Sequence, residues 1–357
     1  MNPTREIWIL GATGRIGRAV ARDVARRGLT PALLGRDEAR LRALASALPG
    51  KPRIIVADTV QAMVAAIAHD TPAVVVNTVG PFARTAVPVA RAGANGTHYV
   101  DISNELSSVV DLLALHNEAS VAGSCLVTGA GYGFLATESV VLKLCQDRPA
   151  ASRVRVDTVP FISQGGVILG SAVAASVVDS LAAGGRRYDN GRLVRAGVGG
   201  DAQTLTLPDG ARVVTGSAPS ADLEGARRAS RAPFVVAASS AVPSTPLSRL
   251  VVPILSVLVS WSPLRDFAVR RLAQVRSPKP THDRTASWGH ARIEWPDGTV
   301  REGWLRAGDG MVFTASVAAE VAARLAQGSY RPGAYTAGAL FGPELAEAAG
   351  AQFIFDR

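Results

Sequence analysis

Residues 7–17 read Ile7-Trp8-Ile9-Leu10-Gly11-Ala12-Thr13-Gly14-Arg15-Ile16-Gly17. A short apolar run passes directly into three glycines spaced three apart, and these open a segment in which Ile16, Val20 and Val24 recur beside Arg18, Arg22 and Arg26. Recurrence every four residues gives one apolar and one charged helix face, so the stretch reads as strand, tight turn and amphipathic helix. In that context Gly11 allows the turn, Gly14 lets a pyrophosphate approach the backbone, and Gly17 lets the helix lie close on the sheet. The free N–H groups at the helix start, on Thr13, Arg15 and Ile16, would meet the phosphate, and Arg15 adds a positive charge there.

Outward from this turn the pattern repeats. Strands are predicted at Ile7–Leu10, Ala32–Leu34, Ile54–Ala57, Ala73–Asn77, His98–Asp101 and Cys125–Thr128, with helix-period segments between them; Leu41, Leu44 and Leu48 mark the second helix, and Asp37 caps its start. Strands separated by crossover helices pair in parallel through right-handed units, so the fold class is α/β with a Rossmann-type doubly wound parallel sheet. After about residue 150 the texture changes. A strand at Ser152–Phe161 and a long helix at Val167–Ala183 are followed by Asp189-Asn190-Gly191, Pro208-Asp209-Gly210 and Pro296-Asp297-Gly298, each flanked by apolar alternation and each reading as a hairpin. The expected organisation is therefore a nucleotide-binding domain at 1–130 and a mixed α/β substrate or oligomerisation domain with antiparallel hairpins at 131–310. The remainder, 311–357, holds a helix near Ala315–Gln327 that returns to the first domain.

A cofactor choice is written after the second strand. An NAD site would carry an acidic residue there for the ribose 2′-hydroxyl; this chain has Gly35-Arg36, and an arginine would hold a 2′-phosphate that an acid would repel. NADP(H) is the expected cofactor. Asp58 and Thr59, after the third strand, are placed for the adenine, and Asn77, Thr78, Val79, Gly80 and Pro81, after the fourth, for the ribose and nicotinamide.

Composition bounds the rest. At 357 residues, 48% apolar and 19% charged, the chain can bury a large core, and its two cysteines form neither a disulfide framework nor a metal pair. The start carries no basic segment followed by a long apolar run, and a cytoplasmic location is expected. No metal site is expected, since the five histidines are scattered and no HExxH or paired CxxC occurs. No Tyr-x-x-x-Lys occurs either, which sets aside a full match to the short-chain dehydrogenases. Net charge is +9, carried by 35 arginines against three lysines, and the span 186–276 has 13 arginines against six acids. Phosphate recognition and genomic base composition both account for that preference. Basic surfaces attract nucleic acid, anionic lipid or acidic carriers, but no helix-turn-helix or RNP-like pattern is present, so nucleic acid is not an expected partner. The apolar Leu250–Trp261 contains Pro253 and is too short to span a bilayer. It reads as a buried or dimer-interface helix, with an apolar lid or peripheral membrane contact as alternatives, and a homodimer is expected.

The glycine turn and the Gly-Arg after strand two belong with two further stretches, Val76-Asn77-Thr78-Val79-Gly80-Pro81-Phe82 and Gly96-Thr97-His98-Tyr99-Val100-Asp101-Ile102-Ser103-Asn104-Glu105. Together they resemble the saccharopine dehydrogenase-like NADP-binding oxidoreductases, which include saccharopine reductases and trans-acting enoyl reductases. The endings Glu302-Gly303-Trp304-Leu305 and Pro332-Gly333-Ala334-Tyr335-Thr336 are similar to that group, whereas Gly129-Ala130-Gly131-Tyr132-Gly133-Phe134 departs from its usual turn. An apolar pocket region without an obvious carboxylate-binding cluster favours hydride transfer to a C=C of an apolar acyl or polyketide-type substrate, as in the enoyl reductases of that group, and the basic span beside Leu250–Trp261 suits a substrate delivered on an acidic carrier protein or coenzyme A. A C=N acceptor of the saccharopine-reductase type is an alternative, and a non-catalytic NADP-binding redox sensor another. Asp101, Tyr99, Tyr132 and Glu105 are the candidate acid–base residues, because they lie at strand ends where open α/β sheets bind ligands. His282, Arg284 and Trp288 are candidates for a substrate wall.

Overall fold

In a computed structural model of the chain, residues 6–93, 96–163, 171–243, 261–275 and 285–355 are described. They divide into two compact units, one comprising 1–103, 107–132 and 311–349, the other 104–106, 133–310 and 350–357.

The first unit is built on a seven-stranded sheet. Its strands are β1 (Ile7–Leu10), β2 (Pro31–Gly35), β3 (Ile54–Val56), β4 (Val74–Asn77), β5 (His98–Asp101), β6 (Cys125–Thr128) and β15 (Gly333–Thr336), in the order β15-β6-β5-β4-β1-β2-β3. Every pairing is parallel, as in β1 with β4, where Ile7 faces Val74 and Leu10 faces Asn77. Helices on a parallel sheet cover both its faces, which is why these strands read as continuous apolar runs rather than alternations. Trp8, Leu10, Leu34, Val75, Tyr99 and Leu126 share one core cluster with Met63, Ile67, Phe82, Val89 and Leu112 from the helices. The residues between them in the strands, Ile7, Ile9, Leu33, Val74, Val76 and Val100, are as fully buried. The first helix, α1 (Arg15–Arg26), buries Gly17, Val20, Ala21, Val24 and Ala25, so that Val20 and Val24 of the foretold face are buried and Ile16 is half-buried. The seventh strand was not among those predicted. It arrives after α11 (Gly310–Ala326), which ties back to α1 through an Arg27–Glu320 ion pair, and then extends the sheet beyond β6.

The second unit carries a nine-stranded mixed sheet with the path β10-β11-β12-β7-β13-β14-β16 and with β8 and β9 attached to β12. The strands are β7 (Arg153–Val159), β8 (Gly185–Asp189), β9 (Arg192–Ala196), β10 (Gln203–Thr206), β11 (Arg212–Ser217), β12 (Phe234–Ser239), β13 (Ser287–Glu294), β14 (Val300–Ala307) and β16 (Gln352–Phe355). All three turn signals become antiparallel hairpins: β8–β9, β10–β11 and β13–β14. One pairing is parallel, β12 with β7. The end of the chain divides between the units, because β16 pairs with β14 in this sheet while 311–349 belongs to the first unit. Leu250–Ser260, the apolar stretch, lies outside the described residues apart from Trp261, which is exposed. No helix among the described residues is long and apolar enough to cross a membrane.

Candidate functional site

The β1–α1 turn fixes the first part of the site. Gly11 has φ +74°, and a Cβ there would sit 2.8 Å from Thr78 Oγ1 and 3.0 Å from Val79 Cγ2, so the turn and the loop after β4 touch over a bare backbone. At Gly17 a Cβ would meet the Gly11 carbonyl oxygen at 2.3 Å, which is how closely the helix lies on the turn. Gly14 is exposed and caps α1 without any side-chain hydrogen bond. The first amides of α1 therefore have no side-chain cap, and the positive end of the helix dipole lies on the same edge, an arrangement that takes a phosphate. These residues fit a dinucleotide: the bare backbone of Gly11 and Gly17 holds the turn tight against the β4 loop and α1, and Gly14 puts no side chain over the start of that helix.

The remaining predicted cofactor positions fall along the C-terminal ends of the same parallel strands. Thr13 is half-buried beside Gly35, 3.7 Å from where a Gly35 Cβ would stand. Arg36, at the end of β2, is exposed and forms no ion pair among the described residues, so its guanidinium is available to an anion. Asp37 beside it accepts the Arg40 N–H at 3.0 Å and caps α2 (Glu38–Ser46), as its sequence position implies. Asp58 is exposed at the end of β3, and the Thr59 hydroxyl accepts the Ala62 N–H at 3.1 Å, which makes Thr59 the cap of α3 (Val60–Asp70).

The loop after β4 is held by a buried network. Asn77 is fully buried; its Oδ1 accepts the Val79 N–H at 2.9 Å, and its Nδ2 donates to Thr85 Oγ1 and to the Tyr99 hydroxyl, both at 3.1 Å. Tyr99 in turn donates to Asp101 Oδ2 at 3.0 Å. Asp101 Oδ1 also accepts from Ser103 N at 3.0 Å, Thr128 Oγ1 at 2.8 Å and Gly129 N at 3.3 Å. Thr85 closes the loop by donating to the Val79 carbonyl at 2.6 Å, and Thr78 donates to the Leu10 carbonyl at 2.7 Å. Gly80 and Pro81 follow, joined by a cis peptide bond. The chain of bonds thus runs from the ends of β5 and β6, through Asp101, Tyr99 and Asn77, to the loop that touches Gly11.

This environment sets the charge of Asp101. Complete burial pushes its carboxyl up to about 6, against the pull of the Ser103, Thr128, Tyr99 and Gly129 donors. Tyr99 is held well above the usual phenol range by burial and by the Asp101 charge. His98, on the opposite face of β5, is pushed down to about 4 by burial and accepts the Cys125 N–H at 3.1 Å, so it is a neutral packing residue.

Of the four acid–base candidates, Asp101 and Tyr99 share this network and have their hydrogen-bonding capacity engaged within it. Tyr132 is buried in the same unit at the start of α7 (Tyr132–Cys145), with its N–H donating to Thr314 Oγ1 at 3.0 Å, and Glu105 is half-buried in the other unit. Trp288 is buried in the second unit's core with Val159, Val213 and Trp304, whose ring meets it edge-on at 6.3 Å. His282 and Arg284 lie outside the described residues. Sequence reasoning missed Thr85, Ser103 and Thr128. Thr85 alone had a readable signal, since it follows Asn77 on the first turn of the next helix, α4 (Phe82–Ala92). Among the described residues, no group of three His, Cys, Asp or Glu side chains is placed to hold a metal ion.

Comparisons with known proteins bear on this geometry. Residues 7–132 match the family model of the saccharopine dehydrogenase NADP binding domain. The trans-acting enoyl reductase of Mycobacterium tuberculosis is 31% identical over 146 residues, a match spanning 39% of this chain and 35% of that protein. The trans-acting enoyl reductase of Mycobacterium leprae matches with the same identity and coverage. The chain thus covers about a third of the length of these curated relatives. The structure of saccharopine dehydrogenase (L-Glu forming) from Saccharomyces cerevisiae superposes with a TM-score of 0.64 at 12% identity, over 99% of this chain and 100% of that one, which shows a shared fold. The resemblance read from the sequence therefore holds: residues 7–132 are an NADP-binding domain of the saccharopine dehydrogenase type, and NADP(H) is the cofactor of that domain.

Proposed function

We propose that the protein is an NADPH-dependent oxidoreductase that reduces an activated C=C of an apolar acyl or polyketide-type substrate. The observation that carries this reading is the nucleotide cradle of residues 11–17 with Arg36 at the end of β2, in a segment similar to proteins named trans-acting enoyl reductases. When bound, NADPH supplies hydride from the nicotinamide ring.

The chain's own residues do the rest. The α1 amides hold the pyrophosphate, Arg36 holds the 2′-phosphate as a charge-assisted fork, and the loop 77–81 orients the nicotinamide end. Asn77 sets that loop through the Val79 amide, and Tyr99 and Asp101 set Asn77; they are positioning residues. Tyr132 and Glu105 are the candidates to deliver the proton that reduction of a C=C requires, with water as the third source. A homodimer, a carrier- or coenzyme A-bound form of the substrate and a cytoplasmic location belong to the same proposal.

Following NADPH consumption against matched panels of enoyl thioesters and cyclic imines tests it. Turnover is expected with the enoyl thioesters. Turnover confined to imines would assign the alternative C=N chemistry, and tight NADPH binding with no oxidation by either panel would make the protein a sensor.

A further inference from the structure

The second unit contains a basic cavity that the nucleotide-binding reading does not use. It measures about 570 Å³ and is lined by Arg227, Arg228, Arg231, Gly191, Ala232 and Pro233. Three arginines line it, Arg227 and Arg228 from the C-terminal end of α9 (Asp222–Ser230) and Arg231 from the residue that follows. That volume lies within the range of small-molecule sites.

Part of this charge is already balanced. Cations at a helix C-terminus complement the macrodipole, equivalent to about −0.5 charge. Glu224, buried, supplies one more negative charge: it accepts from Arg227 Nε at 3.0 Å and Nη2 at 2.7 Å, and from Arg228 Nε at 2.6 Å. Its carboxyl is also bonded by the Tyr188 hydroxyl at 2.6 Å, and these donors hold it below the usual range despite burial. Three guanidiniums against these two terms leave a surplus of about +1.5 around one concave surface.

The guanidiniums are also fixed in place. Arg227 lies over the Tyr188 ring, 5.1 Å from its centroid, while Glu224 grips it from the side. Arg228 is held through Nε alone, so its two Nη groups make no hydrogen bond among the described residues. Arg231 adopts φ +58° at the helix end and anchors through Nη2 on the Arg148 carbonyl at 3.2 Å. A rigid fork loses less rotamer freedom per bond formed with a ligand, and planar guanidiniums match phosphate oxygens two at a time.

We propose that this cavity is an anion site for a diphosphate group, carried either by a free polyphosphate or by the phosphate end of a nucleotide-type ligand such as coenzyme A. It is independent of the nucleotide turn in the first unit and of the reaction assigned to it. A small ligand is favoured over an acidic protein because the three arginines fall within five residues of one another around a single open depression.

Isothermal titration of the full chain with inorganic pyrophosphate, coenzyme A and pantetheine tests the site. Pyrophosphate and coenzyme A are expected to bind saturably with Kd of about 1 mM or tighter, and pantetheine, which lacks phosphate, not to bind. The double variant Arg228→Gln/Arg231→Gln removes two exposed guanidiniums, and pyrophosphate binding should weaken by about tenfold or more. An unchanged circular dichroism spectrum and an unchanged thermal unfolding midpoint in that variant certify its fold. Pyrophosphate binding without coenzyme A binding would identify a free polyphosphate as the source. Absence of saturable pyrophosphate binding, or equal binding by the double variant, would overturn the proposal. An acidic carrier protein bound by the wild type while pyrophosphate is not would overturn it in favour of a protein-docking surface.

Discussion

The two units bury polar groups in different ways. In the first, the buried network lies at the C-terminal ends of β4, β5 and β6 and leads to the Val79 amide in the loop beside Gly11. In the second, buried charges lie across the middle of the sheet. Asp157 is fully buried on β7 and is gripped by the Arg155 guanidinium at 2.9 Å, by Thr215 Oγ1 at 2.6 Å and by His290 Nδ1 at 2.9 Å, while His290 Nε2 meets Glu302 at 2.8 Å. Those contacts join β7, β11, β13 and β14. The first network shapes a binding edge, and the second fastens strands that are distant in sequence.

The largest test of that contrast is Asp157→Ala. It leaves Arg155 and His290 buried beside a missing charge, which costs about 3–5 kcal/mol. Chemical denaturation should record this loss while NADPH affinity stays near wild type; a cost of about 1 kcal/mol or less would show that the strands hold without the network.

Acid dependence distinguishes the two networks next. Asp101 has a carboxyl raised to about 6 from 3.8, so the folded state binds its proton more tightly and this contribution to stability falls as pH rises from about 4 to 6, by about 3 kcal/mol. His290 and Asp157 run differently. Burial disfavours the charged His290, but Asp157 and Glu302 outweigh it and raise its pKa, so its contribution is complete below the unfolded value of 6.5 and is lost as pH rises through the folded one. Burial likewise opposes Asp157, yet His290 and Arg155 hold it below 3.8, so its contribution is present above 3.8 and lost as pH falls further. Unfolding curves between pH 4 and 6 should thus soften, with Asp222 of the second unit, whose carboxyl burial also raises, acting in the same direction, and Asp101→Asn should remove the first unit's share of that slope. A slope undiminished in Asp101→Asn would assign it to other groups.

The smallest expected effect is Tyr99→Phe. It deletes a buried hydroxyl that bridges Asn77 and Asp101, at a cost of about 1–3 kcal/mol. As a positioning residue, Tyr99 should change the KM for NADPH by several-fold and leave kcat at saturating NADPH within about twofold. A collapse of kcat with an unchanged KM would make it a catalytic acid instead.

How much of this was legible follows the same divide. The strand, turn and helix at 7–26 lie within twenty consecutive residues, so periodicity and glycine spacing name both the fold and the phosphate edge. The three hairpins were legible for the same reason. Strand β15 was not, because it enters the sheet beside Cys125–Thr128 from about two hundred residues away and is only four residues long. The alternation of β5 placed Tyr99 and Asp101 on one face, but it could not reveal that Thr128 and Ser103 would enclose them; that depends on which strand ends meet. The pairing of Asp157 with His290 had no signal at all, since β13 finds β7 through register across the intervening chain. The place of Arg36 directly after β2 could be read from the sequence, and its proposed role follows from that place.

The central claim is that Arg36 and the glycine cradle select NADPH, and fluorescence titration of NADPH and NADH against the wild type and Arg36→Ser tests it most directly. The wild type should bind NADPH at least about tenfold more tightly than NADH, and the substitution should weaken NADPH by about 10- to 100-fold while leaving NADH unchanged, as expected for loss of a charged hydrogen-bonding partner. Equal affinity for the two nucleotides in the wild type, or NADPH affinity unaffected by the substitution, would contradict the account.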